Sequence, residues 1–310
     1  MNKEQNPLRN EDVAVLILNY NQKELTVKCV NQLLKLDPAA SVVVVDNHSP
    51  DQSFEFLRDT YKDEPAVSVI ESDTNGGYAK GNNFGLKYIE SQMSQIKYVI
   101  VMNPDILISD GNLIYTLKEA LFSKPEYGAL SCQIVFNNQW RGFTDFGWAF
   151  PSEKHLLWAG TFAGKILLSN VNNAYESVKV RDEIADVDIV SGCFFMARME
   201  DLKKVGYLCE DTFLYFEESI LAKKLLGLNK REGIVLNKYV EHNHQLKDQR
   251  LKNYKKKLFD REQFHKSKMV YINKFSDLNG TMKTLCGIVN SFDLFLKKIL
   301  YGGASIIFHG

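Results

Sequence analysis

Residues 13–51 read VAVLILNYNQKELTVKCVNQLLKLDPAASVVVVDNHSPD. Two unbroken apolar runs, Val13 to Leu18 and Val42 to Val45, bracket a polar turn and a segment that sets Val27, Val30, Leu33 and Leu34 on one helical face. Runs this short, apolar at every position and rich in β-branched residues, are strands buried on both sides, the pattern of a parallel sheet covered by helices. The pattern continues outward: a helix from Phe54 to Tyr61, a strand from Val67 to Ile70, a glycine-rich loop from Asn75 to Gly85 leading into a helix through Tyr88, and a strand from Tyr98 to Met102. Alternation at this spacing means right-handed βαβ crossovers. The polar loops all follow the carboxyl ends of strands, where open α/β sheets form their ligand crevice. Residues 12–110 therefore read as a ligand-binding half.

The second half, 111–244, is less regular. Aromatic and glycine residues crowd 136–164, which suits loops around a pocket and equally suits rings that simply cover a sheet. Asp186 to Arg198 is strand-like but interrupted at Ser191-Gly192, Phe213 to Leu228 runs into a helix, and Ile234 to Val240 is a strand ending at His242 and His244. Composition then turns basic. From residue 245 to 310 there are thirteen Lys/Arg against five Asp/Glu, so this tail is +8 and residues 1–244 are −8 within a chain of zero net charge. The even overall balance argues against a nucleic-acid binder, and the basic tail points either to an anionic partner or to a simply solvated face. Within it Leu285, Ile288, Val289, Phe292, Phe295, Leu296, Ile299 and Leu300 share one helical face, opposite Asn290, Asp293 and Lys297. Such a helix lies on a membrane surface, on the catalytic domain or on a second subunit.

At 310 residues, with 45% hydrophobic and 25% charged residues, the composition is that of an ordinary globular protein. The start, MNKEQNPLRNEDV, has no apolar stretch of the signal-peptide kind, and no window approaches the ~20 apolar residues of a membrane span. Five scattered cysteines with no CxxC pair read as reduced cytosolic thiols.

Several residues could carry chemistry. Asp46, directly after VVVV, could accept a base N–H or a ribose hydroxyl, or could cap the next helix. The loop Asn75 to Asn83 could let backbone approach a ligand, but it is neither GxGxxG nor a P-loop, and NYNQKE after the first strand lacks the glycines of a dinucleotide site. Asn103-Pro104-Asp105 ends a strand with a carboxylate, which reads either as an Asn-Pro turn with a helix-capping Asp or as a metal ligand, since one carboxylate plus diphosphate oxygens and waters is how Mg²⁺ or Mn²⁺ is usually held. Glu217 and Glu218 open a helix, where either the helix dipole or a general-base role explains them.

These stations together resemble the inverting family 2 glycosyltransferases of the GT-A fold. The resemblance rests on ILNYN at 17–21, VVVDNHSPD at 43–51, NGGYAKGNNFG at 75–85, MNPDI at 102–106, SGCFFMAR at 191–198 and FEES at 216–219. The Asn-Pro-Asp form looks most like the bacterial rhamnosyltransferase-containing subgroup. The resemblance implies a Rossmann-like α/β fold with a mixed, mainly parallel sheet and a C-terminal helical tail, in two parts, 1–244 and 245–310. It implies that Leu18, Tyr20, Asp46, Gly77, Asn82 and Asn103 line a UDP- or dTDP-sugar, with Ser191 and Gly192 at the sugar. Asp105, with His242, would hold Mn²⁺ or Mg²⁺ on the diphosphate, and Glu218 would be the base. Ile220 departs from the pattern, since an acid is usual there. The implied acceptor is a glycan, lipid-linked or protein-linked hydroxyl, and the implied place is cytoplasmic, peripheral on the inner face of the membrane, with a homodimer left open. The competing readings are a sugar-nucleotide pyrophosphorylase, which would want a basic glycine-rich loop after strand one, and an inactive nucleotide- or glycan-binding module.

Overall fold

The structure is a computed structural model that describes residues 10–36, 40–136, 147–167, 179–242 and 254–307. The elements run β1 (Val13–Asn19), α1 (Lys23–Leu36), β2 (Ser41–Asp46), α2 (Ser53–Tyr61), β3 (Val67–Glu71), α3 (Gly77–Gln92), β4 (Tyr98–Met102) and β5 (Ile106–Leu107). They continue α4 (Leu113–Ser123), β6 (Tyr127–Phe136), β7 (Gly147–Trp148), α5 (Glu153–Trp158), α6 (Phe162–Leu167), β8 (Val180–Arg181), β9 (Ile184–Val187), β10 (Ile189–Val190), β11 (Phe194–Arg198), α7 (Met199–Lys204), α8 (Glu217–Leu226), β12 (Arg231–His242), α9 (Tyr254–Phe275) and α10 (Gly280–Ile307).

The main sheet has the order β3-β2-β1-β4-β11-β6-β12-β9-β8, with β5 paired to β12, and β7 and β10 form a separate ribbon. Its first half, β3-β2-β1-β4, is parallel throughout. β11 then enters antiparallel between β4 and β6, and β6 pairs parallel with β12. The sheet is mixed and mainly parallel in its N-terminal half, as expected. Val13 to Ile17 and Val42 to Val45 are buried at every position, which is why these segments show no alternation.

The glycine-rich segment differs from its expectation. α3 starts at Gly77, so Gly81 and Gly85 lie inside a helix rather than in the loop before one. A Cβ on Gly81 would stand 2.6 Å from Leu18 Cδ1, and one on Gly85 would overlap Leu16 Cδ1. These glycines let α3 press onto β1 and β2, which outweighs glycine's poor helix propensity.

The two C-terminal helices pack on the body through polar as well as apolar contacts. His265 Nε2 lies 3.1 Å from Asp293 Oδ2, Lys268 Nζ donates to the Ala159 carbonyl at 2.7 Å, and Lys297 donates to Asp293 and to the Gly160 carbonyl. The Phe162 N–H also donates to Asp293, at 2.7 Å. α10 is therefore inside out. Asn290, Asp293 and Lys297 are buried, while Ile288, Phe292, Phe295, Ile299 and Leu300 stand more than half exposed. No helix among the described residues is long and apolar enough to cross a membrane. All five cysteines are buried and unbridged.

Candidate active site

A cleft of about 610 Å³ opens beyond the carboxyl ends of the parallel strands. Tyr78, Asn103, Ser191, Gly192, Glu218 and His242 line its chemical end, and Trp148, Tyr215, Phe216 and Phe264 form an aromatic wall. Of the residues expected from the sequence, Asn103, Ser191, Gly192, Glu218 and His242 thus meet in one cavity.

Glu218 is placed by its neighbours. Gly192 gives it room, because a Cβ there would sit 2.7 Å from Glu218 Oε1. The Tyr78 hydroxyl donates to the Gly192 carbonyl at 2.5 Å, tying α3 to the Ser191-Gly192 break in the strands. Glu218 and Glu217 are neighbours at the start of α8. Both line the cleft, but Glu217 is only 2% exposed whereas Glu218 is half-buried. Burial raises both carboxyls, and the charge of Glu218 pushes Glu217 further, well above the usual range. For Glu218, its own N–H and that of Gly192 oppose the rise by hydrogen bonding to the carboxylate.

The turn before α8 is strained. Tyr215 and Phe216 both have positive φ, 75° and 65°. A left-handed non-glycine residue costs about 1–2 kcal/mol, so the surroundings must hold the pair. The Phe216 ring packs 5.5 Å from Phe264 and 5.5 Å from Tyr271, and Ser267 Oγ donates to the Leu214 carbonyl at 2.8 Å. All three clamps come from α9. Ile220, where an acid is usual, is fully buried in an apolar cluster with Leu156, Tyr271, Ile272 and Cys286. A carboxylate there would have no water and no cleft to face.

Asp105 Oδ2 lies 3.0 Å from His242 Nε2, and the two side chains are 15% and 7% exposed. Burial alone would lower the His242 pKa, but hydrogen bonds to Asp105 and Cys193 outweigh it and hold the imidazole up to about 9. Among the described residues no three acid, histidine or cysteine side chains gather into a metal cage. The pair still fits a hard divalent cation that takes its remaining ligands from a diphosphate and water, provided the cation displaces the shared proton. His244 lies outside the described residues.

Most of the residues expected from the sequence to meet a nucleotide lie at the ends of β1 and β2 and at the start of α3. Leu18 is half-buried and Tyr20 is 41% exposed. Asp46 is 0% exposed, accepting from Asn19 Nδ2 at 2.6 Å and from the Ser49 N–H at 2.7 Å. It sits inside its loop and fixes the turn there, and it does not cap α2, whose N-cap position is Gln52. Asn82 is also fully buried, its amide donating to the Tyr78 carbonyl at 2.9 Å. Gly77 has φ +86°, and a Cβ on it would overlap the Phe213 carbonyl oxygen, which accepts from the Tyr78 N–H at 2.9 Å. Gly77 therefore joins the donor loop to the segment carrying Glu218.

Sequence reasoning missed Tyr78, Trp148, Tyr215 and Phe264 as lining residues. Tyr78 sits inside the quoted loop and Trp148 inside the aromatic stretch, so both had a signal. Phe264 had none, because nothing in a basic helix marks the one ring that reaches the cleft.

Residues 14–206 match the family described as glycosyl transferase family 2. The low-salt glycan biosynthesis hexosyltransferase Agl10 of Haloferax volcanii is 27% identical over 211 residues, covering 67% of this chain and 59% of that protein. Glycosyltransferase GlyG of Streptococcus pneumoniae is 25% identical over 116 residues, covering 37% of this chain and 36% of its own length. The match thus spans less than two thirds of either relative. Among solved structures, the mannosyltransferase PcManGT from Pyrobaculum calidifontis, in complex with GDP-Man and Mn²⁺, superposes with a TM-score of 0.59 at 16% identity, over 97% of this chain and 76% of that one. S. aureus TarS 1-349 in complex with UDP-GlcNAc gives 0.51 at 19% identity, over 88% and 69%. At these identities the structures share the fold, and the sequence match gives the family: the chain belongs to glycosyl transferase family 2.

Proposed function

We propose that this chain transfers a sugar from a nucleotide-sugar donor to an acceptor hydroxyl with inversion, Glu218 acting as the general base. The observation that carries this reading is the split between the two adjacent acids. Glu217 is almost fully buried, while Glu218, held by the Gly192 N–H, keeps more of its surface in the cleft, and burial raises its carboxyl above the usual range. A base with a raised pKa is better matched to neutral pH than an ordinary glutamate. Glu218 takes the acceptor proton as the acceptor oxygen bonds to the anomeric carbon. The bond from that carbon to the donor's phosphate oxygen breaks, and its electron pair leaves with the nucleoside diphosphate. Asp105 and His242 would hold Mn²⁺ or Mg²⁺, which when bound neutralises charge on the leaving diphosphate. Tyr20 and Leu18 border the donor's base, and Asn103, Ser191 and Gly192 the sugar.

On the finer choices, we read the donor as a UDP- or dTDP-hexose or rhamnose, on the Asn-Pro-Asp sequence. The aromatic wall suits a glycan or lipid-linked acceptor, since rings offer flat apolar faces and few committed polar groups. The exposed face of α10 is read as seating the protein peripherally on a membrane, because a row of large apolar residues turned outward is unusual on a monomer. A second copy of the chain is the other occupant, and sedimentation without lipid separates the two.

The test is nucleoside diphosphate release from a panel of UDP-, dTDP- and GDP-sugars with Mn²⁺, the panel first narrowed by thermal shift. Release from one donor, with inverted product, is expected. A chain that is stabilised by a donor yet never turns it over would instead be an inactive binding module.

A further inference from the structure

A second hollow, of about 420 Å³, lies behind the aromatic wall, lined by Lys165, Tyr215, Lys257, Asp260, Arg261 and Phe264. Tyr215 and Phe264 line both cavities, so the two share a wall at the acceptor end. The cleft is also lined by His242, which lies 3.0 Å from Asp105, and on this reading the donor's diphosphate belongs beside that pair. Lys257 and Arg261 are one turn apart on α9 and so face the same way, while Lys165 approaches from α6.

Of the described residues that line it, three are cations and one, Asp260, is an acid. Just behind it Lys297 is buried, its pKa lowered first by burial and in part by Arg261 and Lys165. The acid near that lysine, Asp293, is already shared by Lys297, His265 and the Phe162 N–H. Two aromatic residues, Tyr215 and Phe264, complete its lining. Phosphate oxygens are the groups that several lysine and arginine donors converge on.

We propose that this hollow seats a phosphate or diphosphate group of the acceptor, so that the acceptor is an anionic phosphoester whose sugar or alcohol end passes the aromatic wall to reach Glu218. The proposal rests on reading the large cleft as the transfer site. It also gives the tail's excess of basic residues a specific task, since two of the three cations belong to α9.

The probe is inorganic pyrophosphate in EDTA, titrated by calorimetry into the full chain and into a Lys165→Ala/Arg261→Ala double variant. EDTA removes metal-assisted binding at the donor end. The wild type should bind, more weakly as salt rises, and the double variant should lose roughly tenfold or more in affinity. Arg261→Lys, which keeps the charge, should retain most of it. UDP affinity within about twofold of wild type shows that the variants are folded. Equal pyrophosphate affinity in wild type and double variant, or no binding to the wild type, would overturn the proposal. Flotation on phosphatidylglycerol against phosphatidylcholine vesicles separates the two sources of phosphate. Unchanged flotation of the double variant supports an acceptor group, whereas loss of flotation on phosphatidylglycerol alone assigns the hollow to bilayer headgroups and overturns the acceptor assignment. Donor turnover stands apart: if pyrophosphate binds here but no donor is ever cleaved, the anion site survives and the transferase reading does not.

Discussion

Phe264, from the C-terminal helix α9, packs its ring 5.5 Å from that of Phe216, the left-handed residue that immediately precedes the helix carrying Glu218. The helix after the basic boundary thus stabilises a strained turn at the centre of the site. Phe264→Ala should cost about 2–3 kcal/mol, below the 3–5 of a fully buried phenylalanine because this ring is half-buried. Turnover should fall more than donor affinity, since the base loses its support. A double-mutant cycle with Phe216→Ala should return a coupling of about 0.5–1.5 kcal/mol. Strictly additive losses would mean that the two rings do not depend on each other.

Gly77 and Gly206 form a matched pair of tests. Both have positive φ, but a Cβ at 77 would overlap the Phe213 carbonyl, and one at 206 would meet nothing within 4 Å. Gly206→Ala should cost about 1–2 kcal/mol from backbone strain alone. Gly77→Ala should cost about 2–5 kcal/mol and loosen donor binding, because strain and overlap add. Equal melting temperatures for the two variants would show that the Gly77–Phe213 contact yields easily.

Glu218→Gln should lower turnover by about 10²–10⁴-fold, the usual worth of a general base, with donor affinity by calorimetry near wild type. Glu217→Gln alters the more deeply buried acid of the pair, so turnover should change far less. The reverse ranking would move the base to Glu217.

Asp105→Ala should nearly abolish transfer while the melting temperature holds within a few degrees. His242 then loses its carboxylate partner, and Mn²⁺ should be needed at much higher concentration. Wild-type rates from this variant in EDTA would remove the metal role from Asp105.

Glu232 sets a pH dependence of stability. Burial holds its carboxyl well above the ordinary 4.5; the Val190 N–H opposes this, and the charges of Glu218 and Asp188 add to it. The folded state therefore keeps the proton after the unfolded chain has lost it. Stability from this group is fully present below about pH 4.5 and is lost as pH rises toward the folded pKa. Glu232→Gln, which can still accept from Val190, should flatten the fall in unfolding midpoint above pH 4.5. A wild type whose midpoint rises steadily from pH 4.5 to 8 would contradict this.

The parallel half of the fold was legible because β1, β2 and β4 are buried on both faces and so carry uninterrupted apolar runs. The glycines of α3 were legible as a motif but not as a helix, because their reason is contact with Leu16 and Leu18, which neighbours in sequence do not reveal. Asn103, Ser191, Gly192, Glu218 and His242 could be picked out because each ends a strand or opens a helix at the cleft. Asp46 shows the limit of such reasoning. Its position after a strand was readable, but not that Asn19 and Ser49 would already occupy its oxygens. The aromatic wall was the least legible part, since it draws rings from β7, the turn before α8 and α9, far apart in the chain.

The five buried thiols have a practical consequence. Cys29, Cys132 and Cys286 are closed off from solvent, and Cys209 and the cleft-lining Cys193 are only 8% and 9% exposed, so a brief maleimide pulse should mark them far less than an exposed thiol. A single cysteine introduced at Ile288 or Phe295, both well exposed on α10, would then carry most of the fluorophore or spin label. Its emission colour or its access to paramagnetic quenchers would report whether that face meets water, protein or lipid, with none of the native cysteines replaced.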